Sequence, residues 1–382
     1  MTRMQRRLAR TAIVGIVSAA LLSACSQHSE QDQSAPLPLR WERVQLPGDV
    51  TPVSLTPMGD GLLVGARDEH AHVAPRLLVL ADARWTSVPL RPKSYYAYRA
   101  RWRTVIADGN DIFAVGDAPG GAHSNPRWTT WSGTADGVTE YTQTFETFGG
   151  WGAGGITALT FSAGKPVIVG SWSSDDAGLD IVFWTPHGHD WSRGSSTGTA
   201  LASNEHALNV IRAVGEDPGG IAIAGAVTLL EDGHVDLAPA IWRGSSPGSS
   251  WARVDLPTDG QGQATGVRCR QAACLAAGYV DDRLAAWSVG RDGATRVDDL
   301  PDVPVTSQSV ALVGPPGSRD TSVLTTSGGR SVIVSERAGE FTLVRGPAGT
   351  ATSWAQAGGK TYVITTGSNG ASALWSGHLP AP

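Results

Sequence analysis

Residues 41–47 read WERVQLP, and residues 251–257 read WARVDLP. Five of the seven residues are identical, although 210 residues separate the two starting points. A near-copy at such a distance is typical of a chain built from repeated units. If the chain is repetitive, other segments should resemble one another at a regular spacing.

A repeat is present in the form of seven short apolar runs that resemble one another, from LLVG in the first unit to YVIT in the last. The runs end at residues 65, 116, 170, 225, 278, 325 and 365, so successive runs are 40 to 55 residues apart. Strand-like segments surround each run, and five of the segments that follow it contain Trp. Four short strands at this period predict an all-β fold, a seven-bladed β-propeller of four-stranded antiparallel blades over residues 40–382.

The position of WERVQLP predicts how the ring is closed. If the strands of a blade are named A to D from the centre outward, WARVDLP is strand D of the fourth unit. The last unit has strands A, B and C, and no strand D follows them. We therefore expect residues 41–47 to complete the last blade, which removes the open sheet edges that favour aggregation. The repeated Trp residues are expected to pack between blades.

Two hairpin sequences carry a resemblance to a known class of propeller. SSPGSSW at residues 245–251 resembles a degenerate Asp-box, the hairpin between strands C and D in secreted sialidase-like repeat propellers. TPHGHDW at residues 185–191 is a fainter copy, and both lack the Asp of the motif. The resemblance implies the propeller architecture and a C–D position for both hairpins, and it assigns no catalytic residue.

The first 25 residues read as a targeting segment. An Arg-rich start and the apolar run TAIVGIVSAALL precede LSAC at residues 22–25, which resembles the lipobox of bacterial lipoproteins. The resemblance implies that Cys25 becomes the lipidated N-terminus and anchors the protein on the extracytoplasmic side of the cell membrane. The alternative is an ordinary secretory peptide with a chance Cys. Residues 26–39 are polar and then Pro-rich, which predicts a flexible tether.

The remaining cysteines, the histidines and the net charge indicate which bonds and ligands the sequence predicts. Cys269 and Cys274 flank a turn between two apolar runs, and a disulfide between them is expected in an oxidising compartment. Zinc would need two further ligands that no nearby Cys or His supplies. The histidines of EHAH (69–72) and HGH (187–189) are read as solvated loop residues, so no metal or cofactor is predicted. A net charge of −5 gives no indication of nucleic-acid binding.

The loops on one face of the ring are the predicted ligand site. The B–C loops are longer in the first four units and carry acidic residues, and the D–A segments KSYYAYRARWR (93–103) and FETFGGWGAGG (145–155) add Arg and aromatic residues. Such groups suit a sugar ring or an extended peptide. The alternative is that the loops are solvated and the aromatic residues cover blade edges. The predicted contacts are Tyr96, Arg99, Arg101, Trp102 and Trp151, with Asp175, Asp176, Glu231 and Asp232 as polar partners.

We interpret the sequence as a monomeric, lipid-anchored binding module at the cell surface, with a glycan, peptide or protein partner. One alternative is an extracellular glycoside hydrolase or polysaccharide lyase that uses carboxylates of the same face. Another is an envelope assembly scaffold without a small ligand. Whether the protein is an enzyme stays open at this point.

Replacing Cys25 by Ser tests the anchor. Without the thiol no lipid can be attached, so we expect the variant to leave the membrane fraction or to stay unprocessed. Detergent phase partitioning and high-salt washing of membranes measure this. Cys25→Ser protein that has been processed to the mature size and still associates with membranes at wild-type level after a high-salt wash would contradict the lipoprotein interpretation.

Overall fold

The computed structural model describes residues 37–120, 125–218, 220–231, 233–244, 250–271, 273–290, 293–315, 321–337 and 340–379. Within these residues the chain forms seven sheets that are the blades of a ring, and it contains one short α-helix. Residues 1–36, which include Cys25, lie outside the described part. The described chain contains no helix with the length and apolarity that crossing a membrane requires.

The first two blades follow a pair of short N-terminal strands, β1 (Leu37–Pro38) and β2 (Glu42–Val44). Blade one consists of β3 (Thr51–Met58), β4 (Gly61–Arg67), β5 (Pro75–Ala81) and β6 (Arg84–Ser87). The short strand β7 (Leu90–Arg91) and a 3-10 helix (Ala97–Arg99) come next. Blade two consists of β8 (Arg101–Asp108), β9 (Asp111–Ala118), β10 (Arg127–Thr134) and β11 (Gly137–Tyr141), and β7 pairs parallel to β11 at its outer edge.

The helix α1 (Phe145–Phe148) leads from blade two into the next three blades. Blade three consists of β12 (Ala153–Ser162), β13 (Lys165–Ser173), β14 (Leu179–His187) and β15 (Asp190–Arg193). Blade four consists of β16 (Ala207–Asp217), β17 (Gly220–Glu231), β18 (His234–Gly244) and β19 (Ala252–Asp255). Blade five consists of β20 (Gly262–Arg270), β21 (Ala273–Val280), β22 (Arg283–Val289) and β23 (Ala294–Arg296).

The last two blades use the N-terminal strands. Blade six consists of β24 (Leu312–Val313), β25 (Val323–Ser327), β26 (Arg330–Arg337) and β27 (Glu340–Ala348), with β1 parallel to β27 at the outer edge. Blade seven consists of β28 (Thr350–Ala357), β29 (Lys360–Thr366), β30 (Ser372–Gly377) and β2. The four strands of each blade are called A to D in this order. The predicted seven-bladed fold is thereby confirmed.

The antiparallel order of the strands creates two different faces. The A–B and C–D turns lie at one end of every blade, called the bottom face, and the B–C and D–A connections lie at the other, called the top face. The A strands of all seven blades line a central cavity of about 590 Å³. Hydroxyl groups link neighbouring A strands: Thr56 Oγ1 donates to the carbonyl of Val105 (2.6 Å), and Thr265 Oγ1 accepts from the amide of Ala311 (2.8 Å).

The N-terminal segment closes the ring as predicted. Strand β2 pairs antiparallel with β30, so that Arg43 lies opposite Trp375. Trp41 Nε1 donates to the carbonyl of Arg345 in blade six (3.0 Å), and the Trp41 ring packs with the core between blades six and seven. The segment also extends further than expected, because Leu37 and Pro38, which lie in the predicted tether, pair with blade six.

The repeated Gly at the end of strand B has a structural cause that the sequence did not reveal. In six blades strand A shifts register by a bulge against this point of strand B. In blades three, four and five a Cβ at Gly170, Gly225 or Gly278 would collide with a carbonyl oxygen of strand A. In blade one the register shifts between Ala66 and Gly65 of strand B, so Ala66 is equivalent to the bulge glycine of the other blades. The alignment of the repeats by sequence, which places Gly65 at this position, is therefore wrong by one residue in blade one.

Three further expectations concern single blades. The disulfide is confirmed, since Cys269 and Cys274 are directly opposite across the A–B hairpin of blade five and are covalently linked. The extra length of the fourth B–C connection is not a loop, because β17 and β18 are themselves 12 and 11 residues long. TPHGHDW joins strands C and D as expected, whereas residues 245–249 of the other hairpin lie outside the described part.

Deleting residues 37–47 is expected to open the ring, because it removes β1, β2 and Trp41 and exposes the edge of β30. A broad thermal transition at lower Tm, together with aggregation, is the expected result by circular dichroism and light scattering. The single variant Trp41→Ala should cost about 2 kcal/mol of unfolding free energy. Arg40→Ala is the control, since this side chain is 92% exposed. A deletion variant that melts like the full chain would mean that this segment does not hold the ring together.

Candidate functional site

A buried carboxylate fixes the top-face connection between blades one and two. Glu140 is 1% exposed, and its carboxylate accepts hydrogen bonds from the amides of Lys93 and Ser94 and from Ser94 Oγ, each at 2.6 Å. Bonds to an ionised acceptor are stronger than neutral ones. The segment that follows Ser94 is therefore held in one position on the edge of blade two.

This segment presents Tyr and Arg side chains on the top face. Ala97 and Ala100 are fully buried, so the 3-10 helix packs on its Ala side. Arg67 holds its end by donating to the carbonyls of Arg99 and Ala100, both at 2.9 Å. Tyr95 and Arg99 consequently point outward, and both are exposed.

A first stack of Arg and aromatic groups spreads from this segment across blade two. The Arg99 guanidinium lies 5.1 Å from the Tyr95 ring centroid, and the Tyr95 and Tyr96 rings meet edge to face at 5.7 Å. Arg127, at the top of strand C, lies over Tyr96 at 5.8 Å and over Phe145 of α1 at 4.6 Å. Arg127 Nε is buried and has no hydrogen-bond acceptor among the described residues, so any donation to a ligand would come from the terminal amino groups of this guanidinium.

A second stack lies at the top of blade three. The Arg193 guanidinium, at the end of strand D, lies 4.0 Å from the Trp172 ring centroid at the end of strand B. Gly152 contacts this Trp ring so closely that any Cβ there would collide with it. The neighbouring Trp151 is fully exposed. Burial lowers the pKa of Arg193, and the charge of Asp175 opposes the shift.

We call these groups the arginine–aromatic surface. Its members are Tyr95, Tyr96, Arg99, Arg127, Phe145, Trp151, Trp172 and Arg193. Its arginines form no ion pair or hydrogen bond with other side chains of the described chain. The surface thus combines aromatic faces with guanidinium groups that donate no hydrogen bond to another side chain among the described residues.

The predicted aromatic and Arg contacts lie in different environments in the structure. Tyr96, Arg99 and Trp151 belong to the arginine–aromatic surface. Arg101 is exposed at the top of strand A, where its charge adds to the Arg67 hydrogen bond in lowering the pKa of Glu69. Trp102 is 3% exposed, donates to the carbonyl of Arg76 (2.8 Å) and packs against Trp131. The expectation that Trp102 faces a ligand is therefore corrected, because this ring fills the interface between blades one and two.

The acidic residues of the top face have unequal roles. Asp180 is buried and accepts from Ser196 Oγ and the amide of Ser203, both at 2.8 Å, so it fixes a D–A connection as Glu140 does. Asp175 accepts from Thr197 Oγ1 (3.0 Å). Asp176 and Glu231 are exposed, and their carboxylates have no partner within the described residues. Asp232 lies outside the described residues.

Five members of the surface were not predicted from the sequence: Tyr95, Arg127, Phe145, Trp172 and Arg193. Tyr95 and Phe145 lie within the two D–A segments that were singled out for their Arg and aromatic content. The other three lie at the top ends of strands B, C and D. The alternation of strand and turn predicts these ends, so searching each strand end for Arg and aromatic residues would have found them.

Comparison with known proteins adds little to this picture. No protein-family model matches the chain, and no curated protein sequence matches it. Among solved structures of similar fold, one described as "Structure of YjhT" aligns with a TM-score of 0.46 and 9% identity. The alignment covers 78% of this chain and 98% of that chain. Function is therefore argued from the side chains of the chain itself.

Replacing Glu140 by Ala tests how the site is held. The amides of Lys93 and Ser94 would lose their acceptor, so we expect a loss of about 3 kcal/mol of unfolding free energy. Urea denaturation measures the loss, and hydrogen exchange should show faster exchange in residues 93–100. Glu146→Ala is the control because Glu146 is exposed on α1. Equal stability of both variants would show that Glu140 does not anchor this segment.

Proposed function

We propose that the protein is a binding module that captures an acidic ligand on the arginine–aromatic surface. The observation that supports this most directly is the set of guanidinium groups that lie over aromatic rings and form no ion pair with another described residue. A protein surface normally offers arginines mixed with acidic neighbours that pair with them. Here no ion pair is formed within the described residues by four of them, Arg99, Arg101, Arg127 and Arg193, although the charge of Glu69 acts on Arg101 and that of Asp175 acts on Arg193.

Stacking prepares a guanidinium for an anion. A ring below the plane of the group restricts its rotation and leaves the N–H edge free to form two parallel bonds to a carboxylate, sulfate or phosphate. Holding the side chain in place before binding reduces the entropy that binding must overcome. Lys cannot reproduce this planar geometry, so the choice of Arg at these positions favours a bidentate anionic partner.

The aromatic rings add a second requirement. Trp151 is fully exposed, and Tyr95 and Phe145 are more than half exposed. Flat apolar faces beside cations suit a ligand that carries both acidic groups and rings or apolar chains. An acidic glycan meets both requirements, and an acidic peptide with aromatic residues or an acidic patch on a partner protein meets them in the same way. The net charge of −5 means that the attraction is local to this surface.

The proposed setting is the outside of the cell membrane, with the lipid on Cys25 as anchor. This part of the proposal depends on the LSAC pattern at residues 22–25. A tether between the anchor and the first strand would allow the propeller to meet ligands in the envelope or beyond it.

Binding to three polymers tests the proposal: polygalacturonate, poly-L-glutamate and dextran. Calorimetry should show binding of polygalacturonate, weaker binding of poly-L-glutamate, which lacks rings, and none of neutral dextran. Arg127→Ala and Arg193→Ala should each weaken polygalacturonate binding at least about tenfold, which is the loss of one charged hydrogen-bonded contact. Arg127→Lys should weaken it nearly as much, and Arg101→Lys should also weaken polygalacturonate binding, because Lys cannot reproduce the bidentate geometry of Arg.

Arg84→Ala is the matched control, because this exposed Arg lies at the C–D turn on the bottom face. If acidic polymers bind and all the top-face variants keep wild-type affinity, the site lies elsewhere. If no acidic polymer binds, the proposed ligand class is wrong. Accumulation of shortened products from polygalacturonate would show that the protein is a hydrolase or lyase rather than a binding module.

A further inference from the structure

The hairpin of strands B and C in blade four projects beyond the neighbouring hairpin on the top face. Strands β17 and β18 are 12 and 11 residues long and pair without a bulge. Counted from the glycine at the bulge of strand A, their pairing continues for six residues, from Gly225 to Glu231. In blade five it continues for only two, from Gly278 to Val280. The upper part of the blade-four hairpin therefore has no equally long hairpin beside it in blade five.

One edge of this hairpin is covered and the other is open. On the inner side, strand β16 pairs with β17 as far as Leu229. On the outer side, β19 ends opposite Ala240, and the amide of Leu256 then adds one bond to the carbonyl of Pro239 (2.9 Å). No strand or connection of the described chain pairs with the outer edge of residues 234–238.

The backbone groups of Val235 and Leu237 point out of this open edge. Along a strand, successive residues direct their N–H and C=O groups to opposite edges. The bond to the carbonyl of Pro239 shows that this residue faces outward, so Leu237 and Val235 face outward as well. Their amides and carbonyls have no partner among the described residues. Two donors and two acceptors are thus presented in the spacing that another strand requires.

In three other blades the connection between strands D and A covers the same edge. An amide at the top of strand C donates there to a carbonyl of the connection: Ala74 to Tyr98 (2.8 Å), Ile181 to Leu201 (3.0 Å) and Leu284 to Val303 (3.0 Å). These connections, in blades one, three and five, have 13 to 15 residues, whereas that of blade four has six, residues 256–261. The edge of β18 is open because its strand is long and its D–A connection is short.

The side chains of the open edge differ between its two sides. Val235 is 61% exposed and Leu237 is half-buried. Both lie on the same side of the sheet as Ile241, which packs against blade five. Asp236 lies on the opposite side, is exposed, and forms no ion pair or hydrogen bond with another described residue. An added strand would therefore meet two apolar side chains with a carboxylate between them.

The charge of Asp236 indicates which kind of strand fits. Opposite charges directly across two strands stabilise their pairing, and like charges weaken it. A second copy that paired antiparallel through Val235 and Leu237 would place its Asp236 directly opposite the same carboxylate. Lys, Pro and bulges normally protect an open edge from strand pairing, and residues 234–238 contain none of them. The edge thus disfavours pairing with itself and is open to a strand of opposite charge.

We infer that the outer edge of β18 is a strand-addition site for an extended basic segment of a partner protein. The segment runs antiparallel to β18, as β19 does below it, and its backbone bonds to Val235 and Leu237. Apolar residues of the segment lie opposite these two residues, and a Lys or Arg between them lies opposite Asp236. The site lies on blade four and does not depend on the arginine–aromatic surface of blades two and three, which takes an acidic ligand.

A labelled eleven-residue peptide of alternating Val and Lys is the probe, and fluorescence anisotropy measures its binding. Wild type should bind it with 1:1 stoichiometry and should bind the corresponding Val/Glu peptide at least about tenfold more weakly. N-methylation of the Val residues should abolish binding, because their N–H groups face β18. N-methylation of the Lys residues should preserve binding, because those N–H groups face away. Both methylated peptides carry the same charge, so equal binding of the two would overturn strand addition.

Variants of the protein test the edge from the other side. Leu237→Pro removes an outward N–H, and Pro239 shows that the strand accepts proline at this alternation. This variant should keep the wild-type Tm and bind the Val/Lys peptide at least about tenfold more weakly. Asp236→Lys should reverse the preference in favour of the Val/Glu peptide, and it keeps the test decisive if Leu237→Pro does not fold. Val310→Ser is the matched control, because this exposed apolar side chain lies on a different connection of the top face.

Several results would overturn the inference. They are no binding of the Val/Lys peptide to wild type, wild-type affinity in a folded Leu237→Pro variant, and an unchanged preference in Asp236→Lys. A loss of affinity in Val310→Ser equal to that in Leu237→Pro would show that the peptide binds to apolar surface in general. A dimer of the free protein in light scattering that Leu237→Pro dissociates would show that the edge is occupied by a second copy rather than by a basic partner.

Discussion

Three residues near the start of the described chain, Glu42–Val44, pair with the last strand of the last blade, and this pairing closes the ring. Each blade is a thin sheet that buries both faces only because it has a neighbour on either side. An opening at one place would expose the facing surfaces of two blades, including the apolar cluster around Trp354 and Val363. Because Trp41 also hydrogen-bonds to Arg345 in blade six, closure joins two blades rather than one.

Much of this fold could be predicted because the information is local and repeated seven times. The alternation of turn and apolar run gives strands, the missing outer strand of the last unit gives the closure, and the spacing of Cys269 and Cys274 gives the disulfide. The misses have a common physical origin in strand geometry. In blade one the bulge of strand A lies next to Ala66, one residue away from the Gly65 that the repeat pattern selects. In blade four the additional residues lengthen the pairing of strands B and C instead of forming a loop. Apolar spacing alone does not distinguish a bulge from regular pairing or a loop from a longer ladder.

The candidate site was predicted only in part, and the reason is again geometric. Side chains alternate between the two sides of a strand, and Arg101 is exposed as this alternation predicts. The same alternation places Trp102 on the opposite side, where its ring is buried in the interface between two blades. Arg127, Trp172 and Arg193 come from strands C, B and D of two blades, and only the folded ring brings them onto one face. Strand order places these residues at the top end, whereas the stacking of each Arg over a ring depends on side-chain directions that a linear pattern does not contain.

The position of the closing strand also sets the order of events when the chain folds. Residue 42 leaves the ribosome long before residue 376, its partner in the final ladder, so the first part of the propeller to be made is among the last to find its place. Any blades that form before this pairing would have an unpaired sheet edge at each end, and unpaired edges favour aggregation. Joining segments so distant in sequence is also intrinsically slow. The pairing of β2 with β30 stabilises the finished ring, but it cannot form until the last strand has been synthesised, and aggregation is a risk up to that point.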